Sequence, residues 1–214
     1  MPKVFLSPSN QYDNAYAWGD TTEGVQCGRI ATHCKVALER CGVDVVLMHD
    51  ESMQEKCAMS DKVGADLHVP IHTNAFNGVV RGTRMFCFNK TGKGKQACEE
   101  IYNLLAPFSI GTSDNIQVNT KLYEIRVPKA PTAYIECEFH DSVEGAKWIV
   151  NNAHAIGEMI AHGICNYFGV AYFEEPTTLY KVQVGAYAFK ENAEKMLAKL
   201  NAAGFAGYIK TERS

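Results

Sequence analysis

Short apolar segments alternate with longer segments of helical periodicity along the first 170 residues of this chain. Residues 23–41 carry apolar and small side chains at helical spacing, whereas residues 67–72 form a short, mostly apolar run. Alternation of this kind favours βα units, in which parallel strands form a central sheet covered by helices. The sequence therefore predicts an α/β fold, a three-layer αβα sandwich with a mostly parallel sheet.

The predicted elements follow one another closely, and only residues 109–132 are assigned to loop plus a short strand or helix. Strands are expected at 3–6, 43–48, 67–72, 84–88 and 133–138. Helices are expected at 23–41, 52–63, 94–106 and 143–168.

Three chemically useful side chains are expected to meet at one edge of this sheet. His72 ends one apolar strand, Glu136 lies inside another, and Glu23 opens the first helix. Open α/β sheets bind ligands at the carboxyl ends of their strands. Imidazole and carboxylate groups bind divalent cations, and a further carboxylate can act as a general base, so the set suggests a metallohydrolase. The alternatives are a structural His72, a Glu23 that only favours the helix dipole, and a neighbouring Glu138 that is solvated at the strand's end.

Several motifs together resemble the zinc-dependent N-acetylmuramoyl-L-alanine amidases of the amidase_3 type. They occur in the family's order within residues 1–170, and they are Lys3-Val4-Phe5-Leu6, the loop Ser7 to Asn14, the Glu23 helix, Ile71-His72-Thr73-Asn74-Ala75 and Ile135-Glu136-Cys137-Glu138-Phe139. The resemblance implies that Glu23 and His72 bind Zn²⁺ and that Glu136 is the catalytic carboxylate. It also implies that the substrate is peptidoglycan, cut at the amide between N-acetylmuramic acid and L-alanine.

One segment departs from the family pattern. Most members carry a first histidine ligand in a Gly-His-Gly segment after the first strand, and this chain has Ser9-Asn10-Gln11 there. Gln11 is the candidate replacement, either through its carbonyl oxygen or through a water, although zinc usually takes His, Cys or carboxylate ligands. His140 and His68 are alternative ligands, and a supporting or core role is expected for both.

Three further residues are candidates for substrate binding. Asn74 follows His72 and can donate to a substrate oxygen, or it can serve as a turn residue. Glu124 and Arg126 lie in a segment that matches the groove of similar amidases, where they can contact stem-peptide charges. A role in a surface ion pair is the alternative.

Composition argues against a nucleic-acid-binding protein and a membrane-spanning protein. The chain has 214 residues, 46% of them hydrophobic, and its net charge of -3 leaves no basic footprint for nucleic acid. The eight cysteines include Cys27, Cys34 and Cys41 at seven-residue spacing, which suits packing as small hydrophobes, and no Cys-x-x-Cys pair is present. No segment is long enough for membrane insertion.

The N-terminus shows neither the charged start nor the apolar stretch of a secretory signal. We therefore expect synthesis in a host cytoplasm without a signal peptide and action on the cell wall after release, as in a phage endolysin. A bacterial autolysin with the same chemistry is the alternative. A non-catalytic peptidoglycan-binding protein and a zinc peptidase are two others, although the peptidase motif His-Glu-x-x-His is absent.

The chain changes character after residue 170. We expect a catalytic domain at 1–170, a linker at 171–178 and a strand-helix-strand segment at 179–214, with the helix at 190–203. This segment resembles the first half of a SPOR domain, a peptidoglycan-binding module, through Val182-Gln183-Val184-Gly185-Ala186 and Ala202-Ala203-Gly204-Phe205. So short a segment has little core of its own. It is expected either to pair between two chains as a homodimer or to pack on its own catalytic domain.

Overall fold

The computed structural model describes residues 1–175 and 182–211, and it divides the chain into two compact units, Met1–Glu175 and Pro176–Ser214. The first unit includes part of the expected linker. Arg40 donates from Nε to the carbonyl oxygen of Phe173 at 2.8 Å, and the Tyr172 hydroxyl donates to Glu158. Residues 171–175 are therefore tied to the helices of the first unit.

The first unit alternates strands and helices along the chain. Its strands are β1 (Lys3–Pro8), β2 (Asp44–Leu47), β3 (Leu67–Asn74), β4 (Arg84–Cys87), β5 (Asn115–Val118) and β6 (Tyr134–Phe139). Its helices are α1 (Glu23–Arg40), α2 (Met53–Lys62), α3 (Lys93–Phe108), α4 (Tyr123–Arg126) and α5 (Val143–Phe168). Stretch 109–132 contains both a short strand and a short helix.

The six strands form one sheet in the order β2-β1-β3-β6-β4-β5. All neighbouring pairs are parallel except β4 and β6, which are antiparallel. This arrangement confirms the predicted α/β fold with a mostly parallel sheet. The strands β1, β3 and β6 lie side by side at its centre, so their carboxyl ends meet at one edge.

Alternation along β3 separates the two faces of the sheet. Leu67, Val69 and Ile71 are fully buried in the main core with residues of α1, α3 and α5. His68 and His72 point to the opposite face. The odd-numbered residues of β3 therefore build the core, and the even-numbered residues face the functional side.

Two glycines of α5 allow close approach of neighbouring helices. A Cβ at Gly157 would lie 2.7 Å from the Ile30 carbonyl oxygen of α1, and one at Gly163 would lie 2.5 Å from the Ile101 Cα of α3. The close packing of α5 against α1 and α3 thus requires glycine, which has no side chain, at both positions.

The eight cysteines are all buried with free thiols, as expected for small hydrophobes. Among the helices of the described ranges, none combines the length and apolar character needed to cross a membrane.

The second unit contains the helix α6 (Lys190–Ala202), which confirms the helix expected at 190–203. The prediction of two flanking strands is wrong where the structure describes them, because residues 182–187 and 205–210 form no strand. Residues 179–181 lie outside the described part. A strand needs a pairing partner, and a single strand-helix-strand unit supplies too few for a stable sheet.

Candidate metal centre and active site

His72 and Glu23 form the centre of the site. The parallel ladder of β3 and β6 sets His72 opposite Glu136, and the N-cap Thr22 starts α1 so that Glu23 falls in its first turn. The Nδ1 atom of His72 lies 2.9 Å from Oε1 of Glu23. Both residues are buried, so an imidazole and a carboxylate face each other away from bulk water.

Glu23 is held on its other side by the loop after β1. Asn14 donates to Glu23 Oε2 at 2.9 Å, and Gln11 donates from Nε2 to Glu23 Oε1 at 3.3 Å. Burial works to raise the pKa of Glu23, but the hydrogen bond and charge of His72, together with the bond from Asn14, hold that pKa below its ordinary value. The carboxylate is therefore ionised and ready to bind a cation.

The opposite nitrogen of His72 faces a second acid. Nε2 lies 3.8 Å from Oε2 of Glu124, whose Oε1 accepts from the Ser7 hydroxyl and lies 3.4 Å from His68 Nε2. Burial alone would lower the pKa of His72, but Glu124 and Glu23 raise it to about 9. A metal ion at Nδ1 must displace that nitrogen's proton.

Glu124 is itself strongly acidic. Burial works to raise its pKa, but hydrogen bonds with His68, His72 and Ser7 lower that pKa far below the ordinary value. Since Glu124 is only 3% exposed, its carboxylate is enclosed by protein, and neither the predicted stem-peptide contact nor the alternative surface ion pair fits its position. Arg126 is exposed and lies over the Tyr123 ring at 5.8 Å, and its substrate role stays a prediction.

Glu136 lies beside His72 on the same face of the sheet. Its Oε2 is inaccessible to solvent and has no hydrogen-bond partner among the described residues. Burial, and then the charge of Glu23, outweigh the charges of His72 and Arg84 and raise the pKa of Glu136 to about 7. A carboxyl group with that pKa can both accept and return a proton near neutral pH.

Gln11 reaches the site with its amide. The side-chain oxygen accepts from Asn14 Nδ2 at 3.0 Å, and the amide nitrogen faces Glu23. The two ends of a glutamine amide are exchanged by a simple flip, which would turn the oxygen toward Glu23 and His72. Gln11 therefore has the position of a third ligand, and its role as one stays a prediction.

The two alternative histidine ligands point elsewhere. His140 Nδ1 is 2.9 Å from the Thr73 hydroxyl, and its ring stacks on Tyr16. His68 is fully buried, stacks on Phe5 and faces Glu124.

Two other candidate residues are tied to local structure. The Asn74 side chain accepts from the Ala75 amide at 2.9 Å, which is a turn contact, and its substrate role stays a prediction. Glu138 is fully buried, so the expectation that it is solvated was wrong. It accepts from Gly82 N, Phe139 N and the Ser109 hydroxyl, because a buried carboxylate needs such partners.

Sequence reasoning missed the supporting groups around His72. The ring of Tyr134 stacks on the His72 ring at 4.7 Å between centroids, and Glu124 approaches its far nitrogen. Tyr134 stands two residues before Glu136, so alternation along the strand could have placed its side chain on the same face as Glu136. The sequence singled out Glu124 as a contact for the stem peptide, and no local pattern predicts its approach to His68 and His72.

Comparison with known proteins gives two family matches. Residues 11–166 match the Amidase_3 family, described as N-acetylmuramoyl-L-alanine amidase, and residues 145–213 match the SPOR domain. The SPOR match overlaps α5, which in this structure packs in the first unit.

The chain is also similar to individual proteins. It is 23% identical to a sporulation-specific N-acetylmuramoyl-L-alanine amidase of Bacillus subtilis, over 96% of this chain and 83% of that protein. The structure of the amidase AmiC2 of Nostoc punctiforme superposes with a TM-score of 0.71 at 20% identity, covering 78% of this chain and 97% of that one. The catalytic domain of the CD27L endolysin targeting Clostridia difficile gives 0.62 at 17% identity, covering 78% and 98%.

Proposed function

Because this chain belongs to the N-acetylmuramoyl-L-alanine amidase family Amidase_3, we propose that it hydrolyses peptidoglycan with the help of a zinc ion at Glu23 and His72. The bond cut is the amide between N-acetylmuramic acid and L-alanine. The observation that carries the proposal is the 2.9 Å approach of His72 Nδ1 to Glu23 Oε1 beside the unpartnered carboxyl of Glu136.

The residues at this edge fit a zinc ion. A carboxylate and an imidazole nitrogen are two of the usual zinc ligands, and catalytic zinc sites keep a position open for water or substrate. Gln11 completes the protein ligands with its amide oxygen or through a water. When bound, zinc supplies a Lewis acid that polarises the amide carbonyl and makes water more acidic.

Glu136 performs the proton transfers. Its carboxylate accepts a proton from the attacking water while the water oxygen bonds to the amide carbon. The carbon–nitrogen bond then breaks, and Glu136 returns the proton to the departing amine of L-alanine. The pKa of about 7 lets one carboxyl group act first as base and then as acid.

Glu124 positions the histidine. By facing His72 Nε2 it would hold the proton at that nitrogen when a metal ion displaces the proton at Nδ1, so that the Nδ1 lone pair could bind the ion beside Glu23. Ligand histidines commonly give their other ring N–H to a carboxylate, which fixes the ring and strengthens the ligand.

The test is release of new L-alanine amino termini from purified peptidoglycan. We expect release by the wild-type protein, loss in a chelated sample, and recovery when Zn²⁺ is added. Glu136→Gln should slow release by at least about 100-fold and still bind zinc. Glu99→Gln, on the exposed face of α3, is the matched control and should keep full activity.

A wild-type protein that binds peptidoglycan and zinc but releases no amino termini would contradict the proposal. That outcome would support the alternative of a non-catalytic binding protein. Release of other peptide termini would support a zinc peptidase.

We further propose that the biological setting is phage lysis, in which the protein is made in the host cytoplasm and reaches the wall after membrane permeabilisation. A bacterial autolysin role is equally consistent with the relatives. Expression inside a bacterium with and without a co-expressed permeabilising protein separates the two: lysis only with the permeabilising protein fits the endolysin, and wall turnover without it fits the autolysin.

A further inference from the structure

A second group of potential metal ligands lies behind His72. It consists of Cys57 of α2, His68 of β3 and Glu124 of α4, whose ligand atoms all lie within 4.8 Å of one another. All three side chains are buried. The amidase chemistry gives no role to Cys57 or His68.

The distance between the ligand atoms of His68 and Glu124 suits zinc. His68 Nε2 and Glu124 Oε1 are 3.4 Å apart. Two ligand atoms bound tetrahedrally at about 2.0 Å from one zinc ion are separated by about 3.3 Å. The Ser7 hydroxyl contacts the same carboxylate, so this hydroxyl or a water takes the fourth position.

The imidazole is already oriented for binding. Its ring stacks on Phe5 at 5.3 Å between centroids with a tilt of 10°. Nδ1 has no hydrogen-bond partner among the described residues, so only Nε2 meets polar atoms. A side chain held in this way spends little entropy on accepting an ion.

Charge balance favours the same conclusion. A thiolate and a carboxylate together neutralise one Zn²⁺, so the filled group carries no net charge into the buried region. In the absence of an ion, burial raises the pKa of Cys57 to about 12 and keeps it a neutral thiol, so the Glu124 carboxylate is balanced by His72 and by the nearby ammonium of Lys56, which donates to the Pro8 carbonyl at 2.7 Å.

We propose that Cys57, His68 and Glu124 form a second, structural zinc site that joins α2, β3 and α4 directly behind the catalytic histidine. The two oxygens of Glu124 then serve different groups, Oε1 the structural ion and Oε2 the Nε2 side of His72. Glu23 stands at Nδ1, on the other side of the imidazole, so one ion cannot serve both sets. The buried ion enters during folding.

Cobalt substitution tests this site without reference to amidase activity. The full chain is refolded with Co²⁺ in place of zinc, and the thiolate-to-cobalt charge-transfer band is recorded in the near ultraviolet. The catalytic ligands contain no sulfur, so only Cys57 can produce the band at a metal site proposed for this chain. We expect the band in the wild-type protein and in Glu23→Ala, and its loss in Cys57→Ala.

Cys98→Ala is the matched control, because it also removes a fully buried thiol from a helix of the first unit. It should keep the band. Zinc content should be about two ions per chain in the wild-type protein and about one in Cys57→Ala. If Cys57→Ala fails to fold, X-ray absorption at the zinc edge of the wild-type protein still decides, since a sulfur neighbour at about 2.3 Å is required.

A folded wild-type protein that takes up one ion, with no charge-transfer band and no sulfur neighbour, would overturn the proposal and leave a plain His68–Glu124 pair. Loss of the band in Cys98→Ala as well would also overturn it. Neither result bears on the amidase proposal, which fails only if the ion at Glu23 and His72 or the release of L-alanine termini is missing.

Discussion

His72 and Glu136 are register partners in the parallel ladder of β3 and β6. Their separation is therefore set by backbone hydrogen bonds between neighbouring strands, about 4.8 Å apart, and not by a loop. A bulge follows directly, because the register shifts between His72 and Asn74. The proposed ligand and the proposed general base thus occupy the last regular position of the ladder, where the backbone is still rigid and the side chains already reach the sheet edge.

Replacing Glu136 by glutamine separates catalysis from stability. We expect the rate of L-alanine release to fall by about 10²- to 10⁴-fold, the usual contribution of a general acid–base group. Unfolding free energy should not fall, because the carboxyl Oε2 has no partner to lose. Urea unfolding and the release assay measure the two effects, and a marked loss of stability would show that Glu136 has a structural role instead.

Replacing Gln11 by histidine should strengthen zinc binding. An imidazole is a better zinc ligand than an amide, and we expect affinity to rise by about tenfold or more, which is roughly 1.4 kcal/mol. Competition with a chelating dye measures it. Asn10→His is the control, since the Asn10 side chain instead donates to the Glu51 carbonyl. Equal affinities in wild-type protein and Gln11→His would remove Gln11 from the metal centre.

The Glu138 carboxylate should contribute several kcal/mol to the free energy of unfolding. Alanine there would leave the amides of Gly82 and Phe139 and the Ser109 hydroxyl without their acceptor, and each unpaired buried group costs about 1–3 kcal/mol. We expect urea unfolding to show a loss of about 3 kcal/mol or more. Glu144→Ala, which breaks an exposed ion pair with Arg81, should cost under about 1 kcal/mol. Similar losses in both variants would contradict this account.

Glu158 gives the chain a pH-dependent stability. Burial works to raise its pKa, but the Arg40 guanidinium and the Tyr172 hydroxyl lower it below the ordinary value. A lowered pKa adds stability in full above the pKa of an unfolded glutamate, about 4.3, and this stability is lost as pH falls through the folded-state pKa.

The wild-type protein should therefore exceed Glu158→Gln by about 1 kcal/mol in urea unfolding at neutral pH. The difference should shrink as pH falls below about 4. A difference that is the same at both pH values would show that the glutamate's charge contributes nothing.

The tail is expected to pair between chains. Within residues 182–211 no residue of α6 is buried, and the side chains of Val182, Phe189, Phe205 and Tyr208 are all at least 66% exposed. Apolar groups of this kind gain stability when they are covered. Light scattering should give a dimer mass for the full chain and a monomer mass after deletion of 179–214. A monomer mass for the full chain would exclude pairing.

Local signals made most of the first unit predictable. Helix α5 was expected at 143–168 and is found at Val143–Phe168, because Ser142 caps its first turn and Gly169 ends it with a left-handed conformation at φ 65°. The order of strands and helices was enough to predict that Glu23, His72 and Glu136 lie at one edge of the sheet. That order does not predict which atoms these side chains contact.

Long-range contacts were beyond the sequence. Glu124 lies in a four-residue helix. Its carboxylate contacts His68, 56 positions earlier in the chain, and Ser7, 117 positions earlier. Glu138 shows the same difficulty, since its partners Gly82 and Ser109 come from loops that only the folded chain brings together. No periodicity records such pairings. The strands predicted for the tail were wrong for the opposite reason, because the strand-like pattern was present but residues 182–211 contain no strand to pair with.

The reversed direction of β4 has a consequence for how such an enzyme can diversify. Because β4, with β5 parallel beside it, runs against its neighbour β6, its first residue Arg84 lies opposite Glu136. The segment 75–83 therefore ends at the edge of the sheet that carries Glu136. That segment exposes Phe76 at 75% and Val79 at 69%, and its replacement would leave Glu23 and His72 untouched. Evolution can therefore exchange the exposed surface beside this edge while the proposed ligands are inherited unchanged.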